Sequence, residues 1–321
     1  MKRFSLLIAC LAMSWIPTPS PAQSFPTMPI KIVVPYPPGG AGDLHARMIG
    51  EKLAEELGQL VLVENRSGAS GNIGSDYVAK AAPDGHTLLM NTTNLAIGRA
   101  VPSTKLPFDV LTDLAPITTT LTSQNLLVVP NSLPVSNLSE LITYAKERPG
   151  KLSYGSSGIG TPMLTIELLK FMAGLDIVHV PYRGDAPAIT DLIGGQIQMY
   201  ATNVLALQSY YRGGKVKALA VTSKQRAASL PEIPTMAEAG VPGYEIESWF
   251  GFFAPAKTPR PVIDRLNQAL SKIVAMPDIR QKMIDTGSQP VSMSPEAFSA
   301  RIRADIEKFS RVVQSSGIKV E

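Results

Sequence analysis

The sequence predicts an α/β protein of two lobes, each a parallel sheet wound with helices, joined by two crossings of the chain. Three observations carry this expectation. Short apolar runs alternate with helical patterns through the first 240 residues, the rhythm of strand–helix–strand units. An aromatic run at 246–254, with Trp249, Phe250, Phe252 and Phe253, then reads as one more strand. After it the pattern changes to long amphipathic helices, which need a sheet face or other helices to cover.

Residues 30–34 form an apolar run that reads as a buried strand. It ends in Pro35, Pro37 and Pro38, which cannot continue a ladder, then in Gly39 and Gly40. A helical pattern over 43–57 follows. The junction is a strand, a glycine-rich turn and a helix N-terminus with bare N–H groups, which can hold a carboxylate or phosphate without Lys or Arg.

Strands are expected at 60–63 and 87–91 with a helix at 74–82 between them, and 115–121 and 126–129 read as extended. Asn137 and Glu140 have the spacing of a cap pair for a helix over 137–145, with Pro149-Gly150 as its stop. Strands at 152–154, 177–180, 197–201 and 216–221 alternate with helices near 161–173, 186–194 and 204–211. Ile263, Leu266, Leu270 and Ile273, and later Phe298, Ile302, Phe309 and Val313, recur at helical spacing.

The chain is expected to leave the first lobe near Ser123, build the second, and return through 246–254. This gives lobe I at 27–123, lobe II at 124–246 and lobe I again at 247–321. Ligands of open parallel sheets sit beyond the carboxyl ends of the strands, so the cleft between the lobes is the expected site.

Residues 1–22 read as an export signal. Lys2 and Arg3 precede an apolar stretch over 4–16, and Ser20-Pro21-Ala22 places small residues for cleavage after Ala22. The apolar run is too short to span a bilayer, and the mature chain is expected in a bacterial periplasm. Leu7-Ile8-Ala9-Cys10 resembles a lipoprotein box, but apolar residues continue past it. Cys10 is the only cysteine, so the mature chain can form neither a disulfide nor a thiolate zinc site. Removing Lys2 and Arg3 leaves 28 Lys and Arg against 26 Asp and Glu, a net +2. No basic cluster interleaved with aromatics exists, so no nucleic-acid partner is expected. His45, His86 and His179 lie on different elements without a second ligand at metal spacing, and neither a metal nor a cofactor is expected.

At this point a family resemblance emerges. Its residues are the 35–43 turn, Val63-Glu64-Asn65-Arg66, Gly71-Asn72-Ile73-Gly74, Asp84-Gly85-His86-Thr87, Tyr154-Gly155-Ser156-Ser157-Gly158, Val178-His179-Val180-Pro181-Tyr182-Arg183-Gly184 and Leu230-Pro231-Glu232-Ile233-Pro234-Thr235. Any one is weak; so many in order are specific. Over nearly the whole mature chain the sequence resembles the substrate-binding receptors of tripartite tricarboxylate transporters, the Bug family. The resemblance implies a periplasmic binding protein of the Venus-flytrap, type II-like kind that closes on a small organic carboxylate. It also implies that backbone N–H groups, hydroxyls and waters hold the acid in place of an arginine clamp. The implied partners are membrane subunits of such a transporter, or a sensor, with the receptor itself a monomer.

The expected ligand-binding residues follow. Pro38, Gly39, Gly40 and Ala41 present N–H groups and Tyr36 walls the pocket, the bland alternative being a tight turn without ligand. Asp43 either caps the helix or holds a water or ligand group. In the second lobe Ser156, Ser157, Gly160 and Thr161 form the counterpart turn. It is neither a nucleophile elbow nor a P-loop, since the closing glycine and the Gly-Lys-Ser/Thr are missing. Asn91, Thr92, Thr93 and Asn94 follow a strand in the first lobe and Asn203 follows one in the second; these, Asn91, Thr93 and Asn203 foremost, could bond the middle of a ligand, or could simply cap. Gly184 and Asp185 belong to a turn that the resemblance makes ligand-facing. A carboxylate at Asp185 departs from the family's usual small residue, and would cap the next helix, repel a dianion or favour an amine-bearing or neutral ligand end. The rival reading is an exported serine hydrolase using Ser156 or Ser157 with His179 as base.

Overall fold

The computed structural model describes residues 25–101, 106–156, 160–182 and 184–316. The expected export signal, with Cys10 and the Ala22 cleavage point, lies outside the described residues, as do Ser157 and Arg183.

The chain opens with β1 (Ile30–Val34), α1 (Ala41–Leu57), β2 (Val61–Asn65), α2 (Asn72–Ala79), β3 (Thr87–Thr92) and α3 (Asn94–Ala100). β1 lies between β2 and β3, all parallel, as two right-packed strand–helix–strand units require. The first differences from expectation are small: α1 begins at Ala41 rather than 43, and α3, short and containing Gly98, was not expected.

β4 (Leu114–Pro130) is a single 17-residue strand where two extended pieces were expected. Its middle, from Thr118 to Asn125, is polar apart from Leu121, yet Thr118, Thr119, Thr120, Gln124 and Asn125 are all buried. Hydrogen bonds meet the cost of burying them. Thr118 Oγ1 donates to the Met293 carbonyl at 2.9 Å, and Asn125 Nδ2 donates to Thr165 Oγ1 at 2.9 Å.

α4 (Leu138–Lys146) begins at the expected cap, with the Glu140 N–H donating to Asn137 Oδ1 at 2.9 Å. Then come β5 (Ser153–Ser156), α5 (Thr161–Ala173), β6 (Val178–Pro181), α6 (Asp185–Ile193), β7 (Met199–Asn203), α7 (Val204–Arg212) and β8 (Val216–Val221). The return is β9 (Glu247–Pro255), followed by α8 (Arg260–Ala275), α9 (Pro277–Asp285), β10 (Ser288–Pro290) and α10 (Pro295–Ser316).

The strand order is β2-β1-β3-β9-β4-β7-β5-β6, with β8 and β10 also paired to β4. The sheet is therefore mixed, where parallel sheets alone were expected. β9 runs antiparallel to both β3 and β4, and β4 runs antiparallel to β7 and β8. Crossing strands are the reason: one leaves the first lobe and the other comes back. β4 pairs with β9 as far as Gln124 opposite Glu247, and from Asn125 onward it pairs with β7 and β8. A curled α/β sheet in two lobes results.

α8 covers one face of the first lobe by packing on β4 and α1. α10 lies across α3, α5 and β4, so it touches elements from both lobes. Phe298 of α10 meets Trp249 edge-on at 5.0 Å and Phe253 at 5.1 Å between ring centroids. Gly251 makes this approach possible, because a Cβ there would run into the Phe298 ring. Full burial of one such ring contributes roughly 1.5–3 kcal/mol. Beside it, Trp249 Nε1 donates to Asp305 Oδ2 at 3.0 Å, and Asp305 also pairs with Arg301 and Lys308. Among the described residues no helix is long and apolar enough to cross a membrane.

Candidate functional site

The ends of β1, β3, β5 and β7 and the middles of β4 and β9 border one cleft of about 730 Å3, a size typical of ligand sites. On the first-lobe side its wall is the turn after β1. Gly39 takes φ +81, the left-handed region that an L side chain resists. Leu44 N–H closes the first helical bond to the Gly40 carbonyl at 3.0 Å. The N–H groups of Gly40, Ala41 and Gly42 have no acceptor among the described residues. Gly40 and Ala41 line the cleft with Tyr36 and Pro38.

Gly39 lines the cleft too, but its N–H is already used: it donates to Asp43 Oδ2 at 2.8 Å. Asp43 is the third residue of α1, not its cap, and its carboxylate reaches back to lock the turn. Its other oxygen accepts from Asn65 Nδ2 at 3.0 Å and pairs with Arg47 Nη2 at 2.9 Å. The Arg47 guanidinium, with the Gly39 and Asn65 donors, holds the Asp43 carboxyl down at about 2. Asp43 is buried and does not line the cleft.

The four rim residues after β3 divide into two pairs. Thr92 and Asn94 line the cleft, while Asn91 and Thr93 are buried behind it. Asn91 Oδ1 accepts from Tyr36 Oη at 2.6 Å, and its amide donates to Ser75 Oγ at 2.9 Å. Thr93 Oγ1 accepts from the Trp249 N–H at 2.7 Å, which ties β3 to β9. Both residues therefore support the wall. Burial pushes the Tyr36 phenol up to about 12, so it stays a neutral donor at physiological pH.

On the second-lobe side Gly160, Thr161 and Pro162 bring the N-terminus of α5 to the cleft. Thr161 Oγ1 lies 2.7 Å from Ser248 Oγ of β9. Thr202 and Asn203 line the floor after β7, and Asn203 also caps α7 by accepting the Leu205 N–H at 2.9 Å. Three further positions do not line the cleft. Ser156 is fully buried with Oγ 2.7 Å from His179 Nε2. Gly184 precedes α6, and Asp185 opens it. The Asp185 carboxylate accepts from Tyr200 Oη at 2.6 Å and Thr202 Oγ1 at 3.3 Å, so it stands behind Thr202.

The crossing strands supply residues that the sequence reading missed: Ser123 and Asn125 from β4, Ser248 and Phe250 from β9. A run of Thr-Ser-Gln-Asn at 122–125 inside an otherwise apolar strand was the available signal. Among the described residues no Asp, Glu, Lys or Arg lines this cleft. Nor does any group of three or more His, Cys, Asp or Glu there offer a metal site.

Two lobes bridged by crossing strands, with an uncharged polar cleft between them, define a solute-binding receptor of the two-lobed kind. The chain belongs to the tripartite tricarboxylate transporter receptor family, the Bug family, whose family model, described as "Tripartite tricarboxylate transporter family receptor", matches residues 45–318. It is 39% identical over 312 residues to the "UPF0065 protein in tcbD-tcbE intergenic region" of Pseudomonas sp. (strain P51), covering 96% of this chain and 93% of that protein. The solved structure "R. palustris Rpa4515 with adipate" is similar at a TM-score of 0.77 and 37% identity, over 92% of this chain and 99% of that one. "MatC (Rpa3494) from Rhodopseudomonas palustris with bound malate" is similar at a TM-score of 0.74 and 31% identity, over 90% and 100%. These are periplasmic solute-binding proteins by family.

Proposed function

We propose that this chain is an exported periplasmic receptor, cleaved near Ala22, that captures a small organic carboxylate and closes its lobes on it for uptake or sensing. The observation that carries this reading is a cleft of free backbone donors and hydroxyls with no charged side chain among the described residues. Each helix N-terminus favours an anion by roughly 0.3–2 kcal/mol, and buried hydrogen bonds supply the rest. Micromolar affinity, about −8 kcal/mol, is within reach of such an arrangement. Relatives solved with adipate and malate support the acid class. In this reading the site residues are Tyr36, Pro38, Gly40, Ala41, Thr92, Asn94, Gly160, Thr161, Thr202 and Asn203. The hinge is the partner change of β4 at Gln124 together with the start of β9, and the receptor works as a monomer with transporter subunits or a sensor as its membrane partner.

One observation favours a second reading, an exported serine hydrolase: Ser156 Oγ is in hydrogen-bond reach of His179 Nε2. Against it, Ser156 has no exposed surface, and no carboxylate pairs with His179 among the described residues. Calorimetric titration across small acids separates the two. The receptor gives stoichiometric binding, a raised melting temperature and no product. Ester hydrolysis that disappears in Ser156→Ala would establish the hydrolase instead.

A further inference from the structure

Beside the cleft lies a second cavity of about 370 Å3. It shares Ala41, Ser123, Asn203 and Phe250 with the cleft, so the two spaces adjoin. Their chemistry differs. The cleft is polar, whereas this annex is walled by Leu44 and Met48 of α1, Leu121 of β4, Leu205 of α7 and Met283 of α9. Leu44 and Leu205 are 60% and 50% exposed, apolar surface that folding does not use. His45 sits in the same wall, fixed by Thr120 Oγ1 at 2.7 Å and edge-on to Phe250 at 5.5 Å. Both lobes border the annex, with Asn203 and Leu205 from the second and the α1 and α9 residues from the first.

Lys282 of α9 lines the annex together with Thr286 and Ser288. It is the only Lys or Arg lining either cavity among the described residues, and its ammonium has no ion-pair or hydrogen-bond partner among them. An apolar space that adjoins an anion cradle and carries one cation in its lining matches one ligand chemistry.

We propose that the annex is a specificity subsite: it takes the apolar body of the ligand, and Lys282 receives a second acid group at the far end. The preferred ligands are then dicarboxylates with an alkyl or aromatic middle, not compact hydroxylated acids. This rests on the carboxylate-receptor reading above and adds the class of acid. Each methylene buried in the annex raises affinity by about fourfold. The exposed Lys282 pair adds no more than about fivefold.

The test is calorimetric titration of the mature receptor with butanedioate, octanedioate and benzene-1,4-dicarboxylate, and with octanoate as the monoacid. The two longer diacids are expected to bind at least about tenfold tighter than butanedioate. Lys282→Met, an exposed position where folding is not at stake, should remove the preference for octanedioate over octanoate. Leu44→Gln with Leu205→Gln should penalise the long acids several-fold more than butanedioate. If butanedioate binds tightest, or if the variants weaken every acid equally, the annex proposal is overturned while the receptor reading stands. If no acid binds the unaltered protein, both fall.

Discussion

Replacing Asp43 by asparagine tests how the first turn is held. The Asp43 carboxylate accepts from the Gly39 N–H, from Asn65 and from Arg47 while almost wholly buried. Asparagine keeps one acceptor but sets an amide donor against a donor already there. The carboxyl is held at about 2, against an ordinary value near 3.9, a gap worth about 2.6 kcal/mol once ionised. The Arg47 side chain is 50% exposed, and solvent screens its share, which brings the expected loss to roughly 1–2 kcal/mol. The sign follows from the depressed value. The stabilisation is fully present above about pH 4, the unfolded carboxyl's range, and is lost as pH falls through about 2. Urea denaturation of both proteins at pH 7 and pH 3 reads it. The gap between them should be roughly halved at pH 3. Equal stability at pH 7, or a gap that does not change with pH, would refute the role given to this carboxylate.

Three other substitutions separate the site from its supports. Gly160→Val puts a side chain where a Cβ already comes within 3.3 Å of Asn94 Oδ1, in backbone that any residue adopts. Ligand affinity should fall by about tenfold or more with the melting temperature nearly unchanged. Gly39→Ala meets no neighbour within 4 Å but must hold φ +81; a loss of about 1 kcal/mol in denaturation is expected. Asp305→Ala strands the Trp249 N–H and leaves Arg301 and Lys308 of α10 only their contacts with Glu245 and Glu247, and thermal unfolding should report a loss of roughly 2–3 kcal/mol.

Much of the fold was legible because local signals agreed with one another. The alternation of apolar runs and helical patterns located β1, β3, β7 and β8 and the long helices α8 and α10, and Asn137 with Glu140 marked the start of α4. The crossing strand β4 was split in two because its buried middle is polar, and nothing local says that β9, Thr165 and Met293 will supply partners. α3 and β10 are too short to show a period, and α9 buries only Ile279 and Met283, too few apolar positions to mark one. At the site, the prolines and glycines of the first turn were readable from chain geometry alone. Which of Asn91, Thr92, Thr93 and Asn94 face the cleft was not, since a shift of one residue at a strand end exchanges inward for outward. The placement of Asp43 and Asp185 behind the wall depends on Asn65, Arg47, Tyr200 and Thr202, which are distant in sequence.

The central claim is that unpartnered backbone amides at two helix N-termini take the place of a cationic side chain. Amide chemical-shift mapping of the 15N-labelled receptor, titrated with the tightest acid of the calorimetric series, tests it most directly. The account predicts that the Gly40, Ala41, Gly42 and Thr161 resonances move furthest and saturate together. Saturable acid binding that leaves those four resonances in place would contradict it.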